Sequence, residues 1–564
     1  MNWKSRLHDT PPESPIPMPL PIWKSLYSRG FQNEESIRNL FSPSLQNLQD
    51  PFVLKNMDRA CERLLRAFQN QESVTIYADF DLDGTSGLAL LYDGFSQLGF
   101  KQLSFVQPKR LSEGYGLHSH IVEDLARKGT KVIVTVDVGI TALDAAKKAK
   151  ECGIDLIITD HHLPYEELPD AYTIVNPNQK DCDSGLGYLC GAGVGFYLLM
   201  ALKRALQEQG LGNQNFNLKD VLDFFVIGTL TDLVPLVQDN RVLVKHGLVR
   251  LSQTQRPALK NLIQALSLND RHLTSQEVAI NLAPKLNALS RMETEILPRD
   301  VLLERDPTRA TELVNNVLKT QEERKKYQRS AYLKALELQE TMDQKGYVWV
   351  WSHEFHKGVI GLVATALCEL FRVPSFVGSL NGDGEISGSA RCPDGVEYDL
   401  TKVLEDSKES LLKYGGHAQA AGFSLKAQNA LMFDERLKDF FEKNSKPMSE
   451  KLVFYDSIAT FRDLTPQFMK WCENLEPFGK DFPSLVFKFE NVKVVNIKSM
   501  NGGHLRFSLE QDGKILVAVV FSPNESFKSV NENDAIDIVA EPRWNYFRGQ
   551  RTLQLNLKDI FVNQ

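Results

Sequence analysis

Between Val74 and Asp232 short β-branched apolar runs alternate with stretches of helical spacing. VTIYA, LSFVQP, KVIVTVD and DLIITD have strand character, while SGLALLYDGFSQLG, HSHIVEDLARKG and ITALDAAKKAKECG between them have helical character. Such alternation predicts βαβ units and a mostly parallel sheet covered on both faces. Before it, the first fifty or so residues are Pro-rich and polar with aromatic islands, and read as an irregular extension. After it, Asp306 to Gly346 carries a single proline, at its start, and predicts one long charged connecting helix. A second α/β pattern runs from YVWVW to about Leu425. The tail then changes period: LVFKFENVKVVNI, HLRFSLEQ, KILVAVVF, DAIDIVAEPRW and TLQLNLKDI are closely spaced strands, the signature of a small barrel or sandwich.

Length agrees with this division, since 564 residues exceed one hydrophobic core and suggest two to four domains. The expected boundaries are 1–60 for the extension, 61–305 for a first α/β domain, 306–345 for the helix, 346–446 for a second α/β domain and 447–564 for the β module. A net charge of −7 excludes a uniformly basic nucleic-acid coat but leaves room for a local basic groove. The seven cysteines form no CxxC pair and no zinc spacing, which fits a reducing compartment. Prolines interrupt MNWKSRLHDTPPESPIPMPLPIW before a signal-peptide core could form, and no run approaches the ~20 apolar residues of a membrane span. A cytoplasmic protein without membrane contact is the expectation.

Four apolar runs of the first domain end in aspartate. VTIYA is followed by Asp79, Asp81 and Asp83; VIVTV by Asp137; DLIIT by Asp160, His161 and His162; FFVIGTLT by Asp232. Carboxyl ends of parallel strands open on one edge of a sheet, where these side chains would converge. Clustered carboxylates require a counter-charge to stay ionised. Oxygen donors with one or two imidazoles favour Mn2+ or Mg2+ over a thiolate-bound zinc. DFDLDG also resembles the opening of a calcium loop, but the twelfth loop position is Leu90 rather than Glu and the string follows a strand. A lone aspartate after a strand is commonly a helix cap or turn residue; four such endings in one alternating domain, one with two histidines, point to metal.

In order, DFDLDGTSG, TVDVGITA, TDHH and IGTLTDLVPL resemble the motifs of the DHH phosphoesterase superfamily. PKRLSEGYGL, IVNPNQ, LCGAGVGF and APKLNALSRM resemble segments of its RecJ single-strand exonuclease branch. FHKGVIGLVA, ISGSARC and YGGHAQAAGF resemble the DHH-associated domain, and LEPFG with the β-rich tail resembles an oligonucleotide-binding (OB) fold. The implied architecture is a parallel-sheet DHH domain joined by a long helix to a smaller α/β DHH-associated domain, followed by an OB-fold barrel.

The resemblance implies a residue set. Asp81, Asp83, Asp137, His161 and Asp232 match metal ligands, Asp79 a supporting carboxylate, and His162 a substrate-facing histidine that assists leaving-group protonation. Arg110 matches a DNA-phosphate contact; Arg291, Ser389 and Arg391 match the grip on a terminal 5′ phosphate; Asn287 and His417 match further active-site positions. In the tail, Trp544, Tyr546 and Arg548 suit stacking on bases and contact with phosphates, unless the aromatics are barrel core. Relatives often have Arg where Lys285 stands, Gly at Ser290 and His at Tyr77. Lys285 keeps the charge but loses the bidentate fork.

The resemblance implies an enzyme: a single-stranded-DNA-specific 5′-to-3′ exonuclease that releases mononucleotides by metal-dependent phosphodiester hydrolysis in recombination and repair. Two Mn2+ or Mg2+ ions would activate water and neutralise charge on the attacking and departing oxygens. Its partners would be single-stranded DNA with a 5′ end, a helicase and a single-strand-binding protein. The competing readings are a DHH phosphodiesterase acting on short oligonucleotides or cyclic dinucleotides, and a non-catalytic replication scaffold. The first would lack the β-rich tail and EGYGL segment, and the second would have lost ligands.

Overall fold

The structure is a computed structural model describing residues 3–111, 113–269, 271–340, 346–393, 395–396, 398–444, 452–521, 523–547 and 550–562. It divides into two compact units, one of residues 49–235 and 243–449, the other of residues 1–48, 236–242 and 450–564. The chain opens with β1 (Trp3–Ser5), α1 (Leu20–Ser28) and α2 (Glu34–Phe41), all in the second unit.

The first unit begins at α3 (Met57–Gln69) and continues through β2 (Val74–Ala78), α4 (Leu82–Leu98), β3 (Leu103–Val106), α5 (Ser119–Arg127), β4 (Val132–Val136), α6 (Leu143–Glu151), β5 (Asp155–Thr159) and β6 (Thr173–Val175). These strands form one parallel sheet in the order β3-β2-β4-β5-β6. The interior strands β2 and β4 are buried at every position, as expected where helices cover both faces. Strand order reverses between β2 and β4, which makes the crevice at their carboxyl ends the site for a ligand. α7 (Gly191–Glu208) and α8 (Leu222–Thr231) follow. The apolar run FFVIGTLT, expected to behave like the strand endings, is instead the body of α8, and Asp232 is its C-cap. Near-uniform apolarity gave no helical period because this helix is buried all round.

Further on come α9 (Gln238–Ser252), α10 (Pro257–Ala265), α11 (Ser275–Glu277), a π-helical turn at Val278–Leu282, α12 (Ala283–Arg291) and α13 (Pro298–Leu303). The expected long helix is α14 (Pro307–Glu340), and residues 341–345 of that expectation lie outside the described residues. A mixed sheet follows, built from β7 (Val348–Ser352), β8 (Ser375–Leu380), β9 (Glu385–Arg391), β10 (Lys413–His417) and β11 (Ala420–Lys426) in the order β10-β11-β9-β8-β7. α15 (Ile360–Phe371) packs on this sheet and, with α14, closes a core around Val350, Val363, Leu367 and Ala335.

In the second unit, β14 (Phe487–Ser499), β15 (Leu505–Gln511), β16 (Lys514–Val520), β17 (Ala535–Phe547) and β18 (Gln550–Val562) close into a five-stranded barrel; short β12 (Val453–Tyr455) and β13 (Ser457–Ile458) precede it. The first fifty residues are not irregular there. β1 pairs with β12, and Ile22, Trp23, Leu26, Ile37 and Leu40 belong to the same core as Phe468, Phe487, Phe489 and Phe507. Arg29 grips Asp456 with two hydrogen bonds of 2.8 Å, and Trp3 donates its indole N–H to Asp559 at 2.7 Å. Prolines hid two short helices from the pattern reading, and their partner strands lie some 450 positions downstream.

Candidate metal centre and phosphate pocket

Strand β2 ends at Ala78, so Asp79, Asp81 and Asp83 do not continue an alternating strand. Asp81 is the N-cap of α4: its Oδ1 accepts from the Asp83 and Gly84 amides at 2.9 and 3.0 Å. Asp83, in the first helical turn, is buried and accepts from the Gly191 and Ala192 amides at 2.6 and 3.0 Å, at the N-terminus of α7. Asp137 follows β4 at a positive φ of 62°, a conformation disfavoured for a side-chain-bearing residue. Gly191 faces it so closely that an added Cβ would lie 2.3 Å from the Asp137 Cβ.

His161 is the hub of the cluster. Its Nε2 lies 3.2 Å from Asp137 Oδ1, 3.7 Å from Asp232 Oδ2 and 3.9 Å from Asp83 Oδ2. Three overlapping donor sets have all their atoms within 4.8 Å of one another: Asp79 with Asp81 and Asp137; Asp83 with His161 and Asp232; Asp137 with His161 and His162. All seven predicted members of the catalytic set are therefore brought together. Burial and then Asp81 push the Asp79 carboxyl up to about 8. Burial, followed by Asp83 and Asp81, drives Asp137 well above the carboxylate range. Asp83 is raised mainly by burial, and burial lowers His161. Asp79 Oδ1, Asp137 Oδ1 and His161 Nε2 are buried without a hydrogen-bond partner. Crowded acceptors lacking donors are the arrangement that a hard divalent cation resolves, so the residues fit Mn2+ or Mg2+.

His162 is held differently. Its Nδ1 donates to Asp160 Oδ1 at 2.8 Å, and Asp160 also accepts from the amides of Ile140, His161 and His162. Burial alone would lower the His162 pKa, but the Asp160 hydrogen bond and charge outweigh it and raise the imidazole to about 9. Asn176 and Asn178 donate to the carbonyls of His162 and His161 at 2.9 and 2.5 Å. Tyr115 Oη stands 3.4 Å from His162 Nδ1. Gln107 donates to the Asp79 carbonyl at 2.5 Å and to Thr85 at 2.7 Å. Tyr115, Asn176, Asn178 and Gln107 were not singled out from the sequence, although all four lie inside segments quoted above; a polar residue in a loop gives no signal of its target. Of the departures, Tyr77 donates its hydroxyl to the Gly116 carbonyl at 2.7 Å, and Ser290 to the Phe80 carbonyl at 3.3 Å.

Beside the carboxylates lies a cationic pocket in the same unit. Arg110 stacks on Phe80 with 4.9 Å from guanidinium carbon to ring centroid. Arg291 ends α12, and burial plus the charges of Arg110, Arg324 and Arg391 push its pKa down to about 9. Arg391 on β9 donates to Ser389 Oγ at 2.9 Å. An added Cβ on Gly358 would lie 1.9 Å from the Arg291 carbonyl, and one on Gly361 would lie 3.0 Å from Arg391 Nη2. The loop before α15 thus packs on the Arg291 backbone, and the first turn of α15 on the Arg391 guanidinium. Arg324, on α14, was not anticipated; Gln321 and Gln328 hold it at 3.0 and 2.8 Å. Lys285 sits half-buried near Lys325 and Arg324, and burial lowers it too. Asn287 is half-buried one turn before Arg291. His417 is exposed on β10, the edge strand of its sheet, and is not part of any donor set.

On the barrel, Trp544 packs partly against the core with Arg551 stacked on it at 4.5 Å, while Tyr546 is exposed. Arg548 lies outside the described residues.

Comparison with known proteins agrees with this architecture. Residues 73–229 match the DHH family N-terminal domain, 343–443 the DHHA1 domain and 455–559 the RecJ OB domain. The single-stranded-DNA-specific exonuclease RecJ of Bacillus subtilis is 32% identical over 549 residues, covering 96% of this chain and 67% of that protein. Its counterpart in Salmonella typhimurium is 30% identical over 574 residues, covering 99% and 98%. Among solved structures, RecJ in complex with Mn2+ from Thermus thermophilus shares the fold, with a TM-score of 0.80, 24% identity and coverage of 97% of this chain and 76% of that one. Matched along nearly its whole length by such relatives, the chain belongs to the RecJ family of single-stranded-DNA-specific exonucleases.

Proposed function

We propose that this chain removes mononucleotides from the 5′ end of single-stranded DNA by metal-dependent phosphodiester hydrolysis, serving recombination and repair. The observation that carries the reading is the pairing of opposites: a carboxylate–imidazole cluster lacking donors lies beside a pocket of arginines with too few carboxylates. Divalent ions and phosphates are the two ligands that satisfy both. Asp81, Asp83, Asp137, His161 and Asp232, with Asp79 in support, would hold Mn2+ or Mg2+, the ions of related RecJ structures. Bound there, the ions supply water activation and neutralise charge on the phosphate.

The remaining work falls to the chain. Arg291 and Arg391, with Ser389, grip the terminal 5′ phosphate, and Arg110 steadies the next phosphate. A pocket that holds the terminal phosphate one nucleotide from the cleaved bond fixes product length at one. His162 carries a proton on Nε2 at neutral pH, because Asp160 raises its pKa, and gives it to the departing 3′ oxygen. Tyr546 and Trp544 of the barrel hold the strand downstream by stacking. All seven cysteines are free, in keeping with a cytoplasmic setting, and among the described residues no helix is long and apolar enough to cross a membrane. A helicase and a single-strand-binding protein would deliver the strand.

Digesting a 5′-phosphorylated, 3′-labelled single strand with Mn2+ tests the reading. Labelled fragments should shorten stepwise, while a blunt duplex, a cyclic dinucleotide and the Asp81→Ala protein give no reaction. Immediate release of the 3′ label would reverse the assigned polarity, and an intact single strand would overturn the activity.

A further inference from the structure

Arg256 precedes α10 and is almost wholly buried, 5% exposed, yet it touches none of the site residues. Its Nε donates to Asp223 at 2.9 Å, and its Nη2 donates to Asp93 at 2.8 Å and to the Asp220 carbonyl at 2.9 Å. The guanidinium lies flat against Phe224, 3.8 Å from the ring centroid. Thr254 adds a hydroxyl to Asp223 at 2.9 Å, Gln97 an amide to Asp93 at 3.0 Å, and Arg305 a second guanidinium to Asp93.

What matters is where these carboxylates sit. Asp93 lies near the end of α4, the helix whose start carries Asp81 and Asp83. Asp223 lies at the start of α8, the helix whose end carries Asp232. At a rise of about 1.5 Å per residue, each pair of marks is separated by roughly 14 Å of rigid helix. The two helices pack side by side in opposite directions. At the metal end they touch through Gly228, where an added Cβ would lie 2.8 Å from Asp83 Oδ1. At the far end the Arg256 fork joins them.

We infer that Arg256 is a positioning residue for the metal centre, fixing the register of α8 against α4 and hence the placement of Asp232 relative to Asp83. A guanidinium suits the task because its planar fork meets two carboxylates from fixed directions; an ammonium supplies the charge without the geometry. A buried ion network of this kind is not needed for stability as such, since apolar residues of equal volume serve as well. Its position at the ends of two ligand-bearing rods supplies the reason for keeping it. The inference rests on Asp83 and Asp232 being ligands.

Titrating the full-length protein with Mn2+ alone, with free ion followed by electron paramagnetic resonance, separates the two. Wild type should bind Mn2+, and Asp83→Asn should not; if Asp83→Asn binds like wild type, the assignment of the ligands fails. Arg256→Lys should weaken Mn2+ binding by about tenfold or more, the usual effect of losing a residue that orients ligands. Asp93→Asn, which leaves the Arg256–Asp223 pair intact, should weaken it in the same direction. Arg29→Lys breaks a buried bidentate pair with Asp456 in the other unit and serves as the control for general destabilisation. It should lower the melting temperature while keeping wild-type Mn2+ affinity. Activity of Arg256→Lys should recover as Mn2+ is raised. Wild-type affinity in folded Arg256→Lys and Asp93→Asn, or an equal loss in Arg29→Lys, would overturn the inference.

Discussion

His162 keeps its proton because Asp160 is pinned by three backbone amides and cannot turn away. With an imidazole at about 9, the acid form persists through neutral pH and is lost as pH rises through that value. Asp160→Asn removes the raising charge, so the alkaline limb of the pH–rate profile should move to lower pH; an unmoved limb would exclude His162 as the proton donor. Asp79 gives a second pH signature. Its carboxyl moves from 3.8 to about 8 on folding, so between these values the native state holds a proton that the unfolded chain releases. Stability of the metal-free protein should therefore fall as pH rises from about 4 to about 8, with no further change from this group above that. Melting curves should show the decline, Asp79→Asn should flatten it, and Mn2+ should stabilise more at pH 8 than at pH 5. In the cationic pocket, Arg291→Ala should raise KM for a 5′-phosphorylated strand by about tenfold to a hundredfold, the worth of hydrogen bonds to a charged group. A 5′-hydroxyl strand should barely notice the change.

At the scale of elements, the close approach of α7 to the end of β4 decides how tightly the cluster can be drawn. Gly191→Ala places a methyl against Asp137, so Mn2+ affinity should fall by at least about tenfold. Calorimetric titration would reveal the loss, and unchanged affinity would mean the backbone yields there. Which elements were legible in the sequence follows from their periods. β2, β4 and β5 announced themselves through β-branched runs ending in aspartate, and α14 through its length. FFVIGTLT did not, because an eight-residue apolar run fits a buried strand and a buried helix equally. Asp232 was singled out as the end of an apolar run read like the strand endings and matched as a ligand by resemblance, while the reason it reaches the cluster is a helix end. Arg324 and Gln107 stayed hidden because polar residues on a helix or loop carry no mark of their distant partners.

For the whole molecule, the segment before residue 49 matters more than its composition suggested. Ile22, Trp23, Leu26, Ile37 and Leu40 are all at most 5% exposed. At about 2 kcal/mol for each fully buried apolar side chain, they contribute on the order of 10 kcal/mol before entropy is counted, similar to the whole stability of a domain. Deleting residues 1–48 should therefore abolish the barrel's unfolding transition in differential scanning calorimetry while the other unit still melts. A barrel transition surviving at its original temperature would show that the N-terminal helices are ornamental.

That shared core also imposes a timetable. Residues 1–48 leave the ribosome well before the strands that cover them, which begin after residue 450. About 400 residues must be made in between, which takes roughly 20 to 80 s at 5–20 residues per second. Throughout that interval Trp23 and its neighbours wait without their partners, while the parallel sheet and α4, which carries Asp83, can already assemble. The nascent chain therefore passes through a stage in which every residue of the hydrolytic centre has been made while the apolar side chains of α1 and α2 are still unsheltered.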